Sequence, residues 1–346
     1  MTGTWITPEV NEAVSMGYVI EEIYEVAHWE NTSRDLFKDY IDTFMKLKAE
    51  SSGIDVYDES GEPKEPTDEE LEHRVQQFQE HEQVTLDKSN IKDNPGMYKV
   101  SKMMLVALGG KLGERQNKPR TKVIDKPGEF YNTISNKRYD CKYEFVGHEG
   151  EEMVLMNFTE NSNVYNDTRF STNEALAAFI TGYGRLKLYS LLKAVGFENV
   201  LYMDTDSVTY KETPENYYVY HGDKIMGPWF GMCKCELKKL EVKHGKCIEF
   251  VATNDKSYSM KFEDGHTSST LSGFPINPER RQNINHDVMR DMVIGTNTRP
   301  VSIKERVIRH QSKSLGLETR IQSKTFSYTP YDKGVEIDDY VIVPLG

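Results

Sequence analysis

The longest helical pattern in the chain runs from Thr172 to Val195, with Leu176, Phe179, Ile180, Tyr183, Leu186 and Leu191 on one face and Gly196 as its stop. Three residues further on the period changes. Asn199-Val-Leu-Tyr-Met-Asp-Thr-Asp-Ser-Val-Thr-Tyr is apolar, then acidic at alternate positions, then apolar again. That pattern predicts a β-hairpin with Asp204 and Asp206 at its tip. A long helix feeding directly into a hairpin points to the α+β class.

Elsewhere the same periodicities give a coarse organisation. Tyr18-Val-Ile-Glu-Glu-Ile-Tyr-Glu-Val alternates like a strand, and from Ser33, read as an N-cap, Leu36, Phe37, Tyr40, Ile41, Phe44 and Leu47 predict a helix ending near Gly53. Residues 51–93 are acidic and contain a polar helical stretch around Glu69 to Glu80, which predicts an exposed insertion. Asn94-Pro-Gly marks a turn before a helix over Tyr98 to Leu108. Residues 119–170 are rich in turn residues and short β-like runs, such as Tyr143-Glu-Phe-Val and Met153-Val-Leu-Met, and read as hairpins.

Charge decides which partners are compatible. The net charge of −12 over 346 residues argues against nucleic acid until its distribution is read. Asp55 to Asp87 holds 12 acids against Lys64 and Arg74, a local balance of −10, so the remaining chain sits near −2. Within that remainder, Lys99 to Lys122 carries seven Lys or Arg and one acid, Glu114. Lys234, Lys238, Lys239, Lys243 and Lys246 form a second basic stretch, and Arg299 to Lys324 a third. Such clusters suit a phosphate backbone, although a solvated surface gives the same composition. No apolar run reaches membrane-span length, so no membrane partner is expected. Cys141, Cys233, Cys235 and Cys247 are too few and too irregularly spaced for a disulfide framework, which points to a reducing, intracellular compartment. Cys233, Cys235, His244 and Cys247 have zinc-ligand chemistry without a known zinc spacing. There is no Gly-x-Ser-x-Gly elbow, Walker loop or dinucleotide fingerprint.

Two carboxylates at a hairpin tip are a donor set for a divalent cation in phosphoryl transfer, and equally a polar turn. What raises the first reading is a resemblance. Tyr202-Met-Asp-Thr-Asp-Ser is similar to motif C of family B DNA polymerases, and Asn173-Glu-Ala-Leu-Ala-Ala-Phe-Ile-Thr-Gly-Tyr-Gly-Arg resembles the helix that leads into it in the protein-primed branch. Downstream, Gly227-Pro-Trp-Phe precedes Lys256-Ser-Tyr258, similar to that branch's Lys-x-Tyr motif. Upstream, Asp35-Leu-Phe-Lys-Asp-Tyr-Ile resembles the end of its terminal-protein-interacting insertion, and Tyr340-Val-Ile-Val-Pro-Leu-Gly the tail of linear-plasmid and virus-like-transposon polymerases.

The resemblance implies the C-terminal part of a DNA-directed DNA polymerase with a right-hand palm built on an antiparallel sheet, partial fingers helices and a small thumb. Residues 1–50 would end the insertion that meets a terminal protein, 94–118 would be fingers, 119–170 a hairpin insertion, 171–269 palm and 270–346 thumb. It implies Asp206 as metal ligand with Asp204 beside it as ligand or neighbouring acid, Mg2+ (or Mn2+ in its place), and Tyr202 against the primer end. Lys256 and Tyr258 would hold primer or nucleotide phosphates, and Lys102 a triphosphate. Its partners would be a DNA template-primer, a dNTP and a terminal protein, in a viral or mobile-element setting.

Departures from the family pattern matter as much. Motif B reads Lys-x-x-x-Asn-Ser-x-Tyr-Gly, whereas this chain has Lys102-Met-Met-Leu-Val-Ala-Leu-Gly-Gly, with Val106-Ala107 and Gly109 in place of the Asn-Ser pair and the tyrosine. Motif A, Asp-x-x-Ser-Leu-Tyr-Pro, does not occur, so its carboxylate is expected from a preceding segment or a separate chain. A non-catalytic DNA-binding remnant and an unrelated metal-dependent phosphotransferase or nuclease are the alternatives.

Overall fold

The first helix, α1 (Thr7–Ser15), begins with proline in its first turn, where a missing N–H costs no hydrogen bond. The computed structural model to which it belongs describes residues 2–54, 56–57, 63–115, 117–146, 153–161, 163, 172–222, 224–274, 277–310, 317–328, 334–338 and 341–344. The next helix, α2 (Lys38–Ser51), starts later than Ser33, because the Ser33 hydroxyl accepts the Asp35 N–H in a local turn instead of capping a helix. Between α1 and α2 the expected strand over Tyr18–Val26 is absent. That stretch has no ladder partner among the described residues, and Tyr18, Val19, Tyr24 and Val26 are each more than 70% exposed. Alternation makes a strand only when another backbone supplies its hydrogen bonds.

A minimal antiparallel pair, β1 (Val56–Tyr57) with β2 (Pro63–Lys64), precedes α3 (Asp68–Glu82). Thr67 opens α3 with a reciprocal capping box, its hydroxyl accepting the Glu70 N–H while Glu70 accepts the Thr67 N–H at 2.7 Å. Thr67→Ala is expected to cost about 1 kcal/mol, read as a lower midpoint in urea unfolding. Asn94 caps α4 (Pro95–Leu112) through the Met97 N–H. Among the described residues of 94–118 there is one 18-residue helix where several fingers helices were expected, and α4 packs on α2.

The acidic segment is not wholly an exposed insertion. Phe78, Val84, Leu86 and Ile91 are buried in one core with Met45 and Ala49 of α2, and Trp229 packs against it from much further along the chain. The acids of α3 face water while its few apolar residues point inward, so average composition hid a structural face.

A three-stranded antiparallel sheet follows, formed by β3 (Arg120–Ile124), β4 (Tyr139–Val146) and β5 (Met153–Glu160) in the order β3-β5-β4. An unforeseen helix, α5 (Pro127–Ile134), joins β3 to β4 and lays Phe130 on the core of Ile124, Val154 and Met156. Helix α6 (Glu174–Val195) is capped by Asn173 and stops at Gly196, whose φ of +82° suits glycine. It packs on α4 and on α1, where a side chain at Gly182 would overlap Ile6 and two ion pairs, Arg185–Glu9 and Lys193–Glu12, flank the contact.

Beyond α6 come β6 (Val200–Asp204) and β7 (Ser207–Tyr210), an antiparallel hairpin, then α7 (Tyr217–His221) and α8 (Lys238–His244). Strands β8 (Cys247–Asn254), β9 (Ser257–Phe262) and β10 (Thr267–Thr270) form a second meander. Helices α9 (Pro278–Asn283) and α10 (His286–Val293) lead to a long hairpin, β11 (Val301–His310) with β12 (Leu317–Phe326), and a short one, β13 (Gly334–Asp338) with β14 (Val341–Pro344).

The fold is thus α+β with small antiparallel sheets. Among the described residues the Asp204 hairpin and the Lys-x-Tyr strands belong to two separate sheets. The boundary expected at residue 270 is also crossed. Val251 of β8, Leu271, Ile284, Met289, Met292, Ile303 and Phe326 share one core, so β8, α10 and the β11–β12 pair are built on it together. No helix among the described residues is long and apolar enough to cross a membrane.

Candidate functional site

The tip of the β6–β7 hairpin pairs Asp204 with Ser207 and leaves Thr205 and Asp206 as a two-residue turn. Thr205 has φ +48°, an uncommon conformation for a β-branched residue, and the Asp206 N–H reaches the Asp204 carbonyl at 2.5 Å. The Thr205 hydroxyl donates to Asp204 Oδ1 at 2.9 Å, and the Ser207 hydroxyl donates to the Asp204 carbonyl at 3.1 Å.

A second two-residue turn, Asp255–Lys256 between β8 and β9, faces this one. Lys256 also has positive φ, +56°. Its N–H donates to the Tyr202 hydroxyl at 2.9 Å, and its ammonium spans both Asp204 oxygens at 2.9 and 2.7 Å. The Tyr202 ring lies 5.4 Å from Tyr258 and 6.1 Å from Phe250, and those two rings stack at 5.7 Å. Tyr202, Asp204, Lys256 and Tyr258, chosen from two separate sequence motifs, are thereby brought together, with Asp206 adjoining on the turn.

The charges are mutually supporting. Hydrogen bonds from Lys256 and then Thr205 hold the Asp204 carboxyl below the usual aspartate range, while Asp204 holds the Lys256 ammonium above the usual lysine value, with Tyr202 and Asp206 adding to it through space. Depressing a folded-state carboxyl favours the fold above the unfolded aspartate pKa and loses that support as pH falls through the folded value; raising a lysine favours it below the unfolded lysine pKa and loses it as pH rises through the folded value. The contact is therefore intact throughout the neutral range.

Among the described residues no group of three or more His, Cys, Asp or Glu is placed to hold a metal, which covers the cysteine and His244 set. A single magnesium ion asks less, since it is commonly held by one or two carboxylates with water and substrate phosphates. Asp204 and Asp206 fit that donor chemistry. An ion at Asp204 would have to displace the Lys256 ammonium.

Lys102 stands elsewhere, exposed on α4, where its charge acts on Lys48 of α2. At the positions that depart from motif B, Val106 is 73% exposed and Gly109 lies against Ile180 of α6, where an added Cβ would sit 3.3 Å from the isoleucine. The first basic stretch is partly neutralised internally: Lys111 and Lys118 both pair with Glu114, whose carboxyl is pulled down to about 2, and Lys122 pairs with Glu129. The lysines at 234, 238, 239, 243 and 246 make no ion pairs among the described residues. Of the third stretch, residues 311–316 lie outside the described residues, as does Tyr340 of the C-terminal pattern. Phe250 and Thr205 were not singled out by sequence: Phe250 is placed by its position on β8, and the Thr205 hydroxyl contact depends on a turn geometry that composition does not encode.

The chain matches no family model, no curated protein and no solved structure.

Proposed function

We propose that this chain carries the nucleotidyl-transfer centre of a template-directed DNA polymerase of the protein-primed family B kind, with Asp204 and Asp206 as its metal-binding carboxylates. The observation that carries the reading is the meeting of two hairpin turns 52 residues apart, in which Lys256 binds Asp204 through its ammonium and Tyr202 through its backbone. A surface Lys–Asp pair by itself is common; what supports the reading is that it is joined to the Tyr202 phenol, giving the carboxylate, ammonium and phenol that a site handling a cation and a phosphate needs side by side. A magnesium ion held at Asp204 and Asp206 would supply charge neutralisation at the reacting phosphate. The chain's own contribution is positional. Thr205 orients the Asp204 carboxylate, and Tyr202 and Phe250 fix Tyr258. Lys256, released from Asp204, presents a point charge to phosphate oxygens.

On this reading the partners are a DNA template-primer, a dNTP, a terminal protein and a source of the motif A carboxylate, in the reducing interior of a cell hosting a virus or mobile element. Primer extension in magnesium or manganese tests it, with and without a supplied fragment bearing an Asp-x-x-Ser-Leu-Tyr-Pro segment. Extension is expected only with the fragment, and Asp206→Asn should lower it by about 100-fold or more, the scale of several kcal/mol of lost transition-state stabilisation. Extension by the chain alone, lost in Asp206→Asn, would place the third carboxylate within this chain. A second reading, a DNA-binding remnant, is favoured by exposed Val106 and by Gly109 packed on α6, which leave no tyrosine under a nucleotide. Salt-sensitive DNA binding without extension under complementation would select it.

A further inference from the structure

We infer that His286 is a positioning residue for the Lys256–Tyr258 side of the candidate site, a brace set across β8 and β9 on the face of the meander away from Tyr202. For its use in catalysis this rests on the nucleotidyl-transfer reading; the geometry stands without it. Side chains alternate along a strand, and the register pairs Ala252 with Tyr258 and Val251 with Ser259. One face therefore carries Phe250 and Tyr258, whose rings stack beside Tyr202. The other carries Val251, Ser257 and Ser259, all buried, and α10 packs against β8 and β9.

His286 opens α10 and reaches both strands. Its Nδ1 lies 3.0 Å from the Ser259 hydroxyl, and its Nε2 lies 3.3 Å from the Glu249 carboxylate of β8. The Ser259 hydroxyl is tied onward to the Ser269 hydroxyl of β10 at 2.7 Å. The ring is 1% exposed, so these contacts form without competition from water. Beside a carboxylate, a proton on Nε2 is favoured over a lone pair. Nδ1 then accepts from Ser259 and Ser259 from Ser269, so that one directional chain joins the helix to the strands. Glu249 precedes Phe250 and Ser259 follows Tyr258, so a ring spanning Glu249 and Ser259 sets the strands directly behind the Phe250–Tyr258 stack. The same two strands are joined by the Asp255–Lys256 turn, where Lys256 holds positive φ while reaching Tyr202 and Asp204. A non-glycine residue keeps that conformation only where its surroundings over-determine it, and His286 adds a helix to those surroundings.

Nuclear magnetic resonance of the full chain, with labelled tyrosine rings and lysine amides and with neither metal nor nucleotide, tests the inference. In His286→Leu, apolar and near the ring's volume, the ring-current displacement of Tyr258 should shrink, and the Lys256 amide should move upfield as its bond to Tyr202 opens. The ratio of closed to open turn is expected to fall about tenfold, the scale of one buried hydrogen bond. His286→Asn, which keeps a polar atom near the place of Nδ1, should restore most of both signals. Ser259→Ala, a smaller change made from β9, should reproduce the effect of His286→Leu and carries the test if that variant does not fold. Met289→Ala loosens the same helix through packing alone and should leave both signals in place. Unchanged signals in whichever of His286→Leu and Ser259→Ala folds overturn the inference. An equal change in Met289→Ala also overturns it, since His286 would then give only general support to the helix. Neither signal depends on synthesis, so failure of the brace and failure of primer extension are read separately.

Discussion

Phe78→Ala is expected to destabilise the chain by about 3–5 kcal/mol, the usual cost of emptying a buried phenylalanine site. Phe78 is 5% exposed, touches the Trp229 ring edge-on at 6.1 Å, and lies under the Arg74 guanidinium at 5.5 Å. It sits where α3 meets α2, so the void opens between two elements that cannot close on it independently. Of the three tryptophans, Trp5 and Trp29 are more than half exposed, and Trp229 packs on this core. A red shift of fluorescence should therefore accompany the lower urea midpoint. A loss below about 0.5 kcal/mol, the ordinary level of a surface change, would return the acidic segment to the status of a dispensable insertion.

Met289→Ala is expected to cost about 2–5 kcal/mol and to act on both sides of residue 270 together. Met289 is fully buried, and its core takes Val251 from the meander and Ile303 and Phe326 from the long hairpin. His286 and Ser259 in the adjoining polar layer are also buried. His286 Nδ1 lies 3.0 Å from the Ser259 hydroxyl, and Nε2 lies 3.3 Å from Glu249 without making a hydrogen bond. Hydrogen exchange should accelerate in β8 and in β11–β12 by comparable factors in the variant. Acceleration confined to one of them would mean that two independent domains merely touch here.

These two cores show where sequence reading succeeded and where it stopped. Helix α6 and the hairpin after it were legible because periodicity and a glycine stop agree, while the Asn173 cap came from the structure alone. Tyr18–Val26 was misread because alternation reports what a strand would bury, not whether a neighbour exists. The acidic segment was misjudged because twelve carboxylates outweigh Phe78, Val84 and Leu86 in any average. At the candidate site, the hairpin and its two acids came from pattern alone, and Lys256 and Tyr258 from a family resemblance. No local rule joins residues 204 and 256. The contact depends on two turns whose non-glycine residues both adopt positive φ, information that is spread over the fold rather than written at either turn.

Beyond the Tyr18 N–H, which bonds to the Ala13 carbonyl, the stretch to Val26 joins no ladder among the described residues and leaves backbone donors and acceptors open to another chain. That is the chemical definition of a template for intermolecular sheet growth, and its tyrosine, valine and isoleucine content strengthens it. Glu21, Glu22 and Glu25 interrupt the stretch. In-register stacking of copies would align like carboxylates at the spacing of adjacent strands, roughly 4.8 Å, so colloidal solubility at this segment is bought with electrostatic repulsion that dissolved salt weakens.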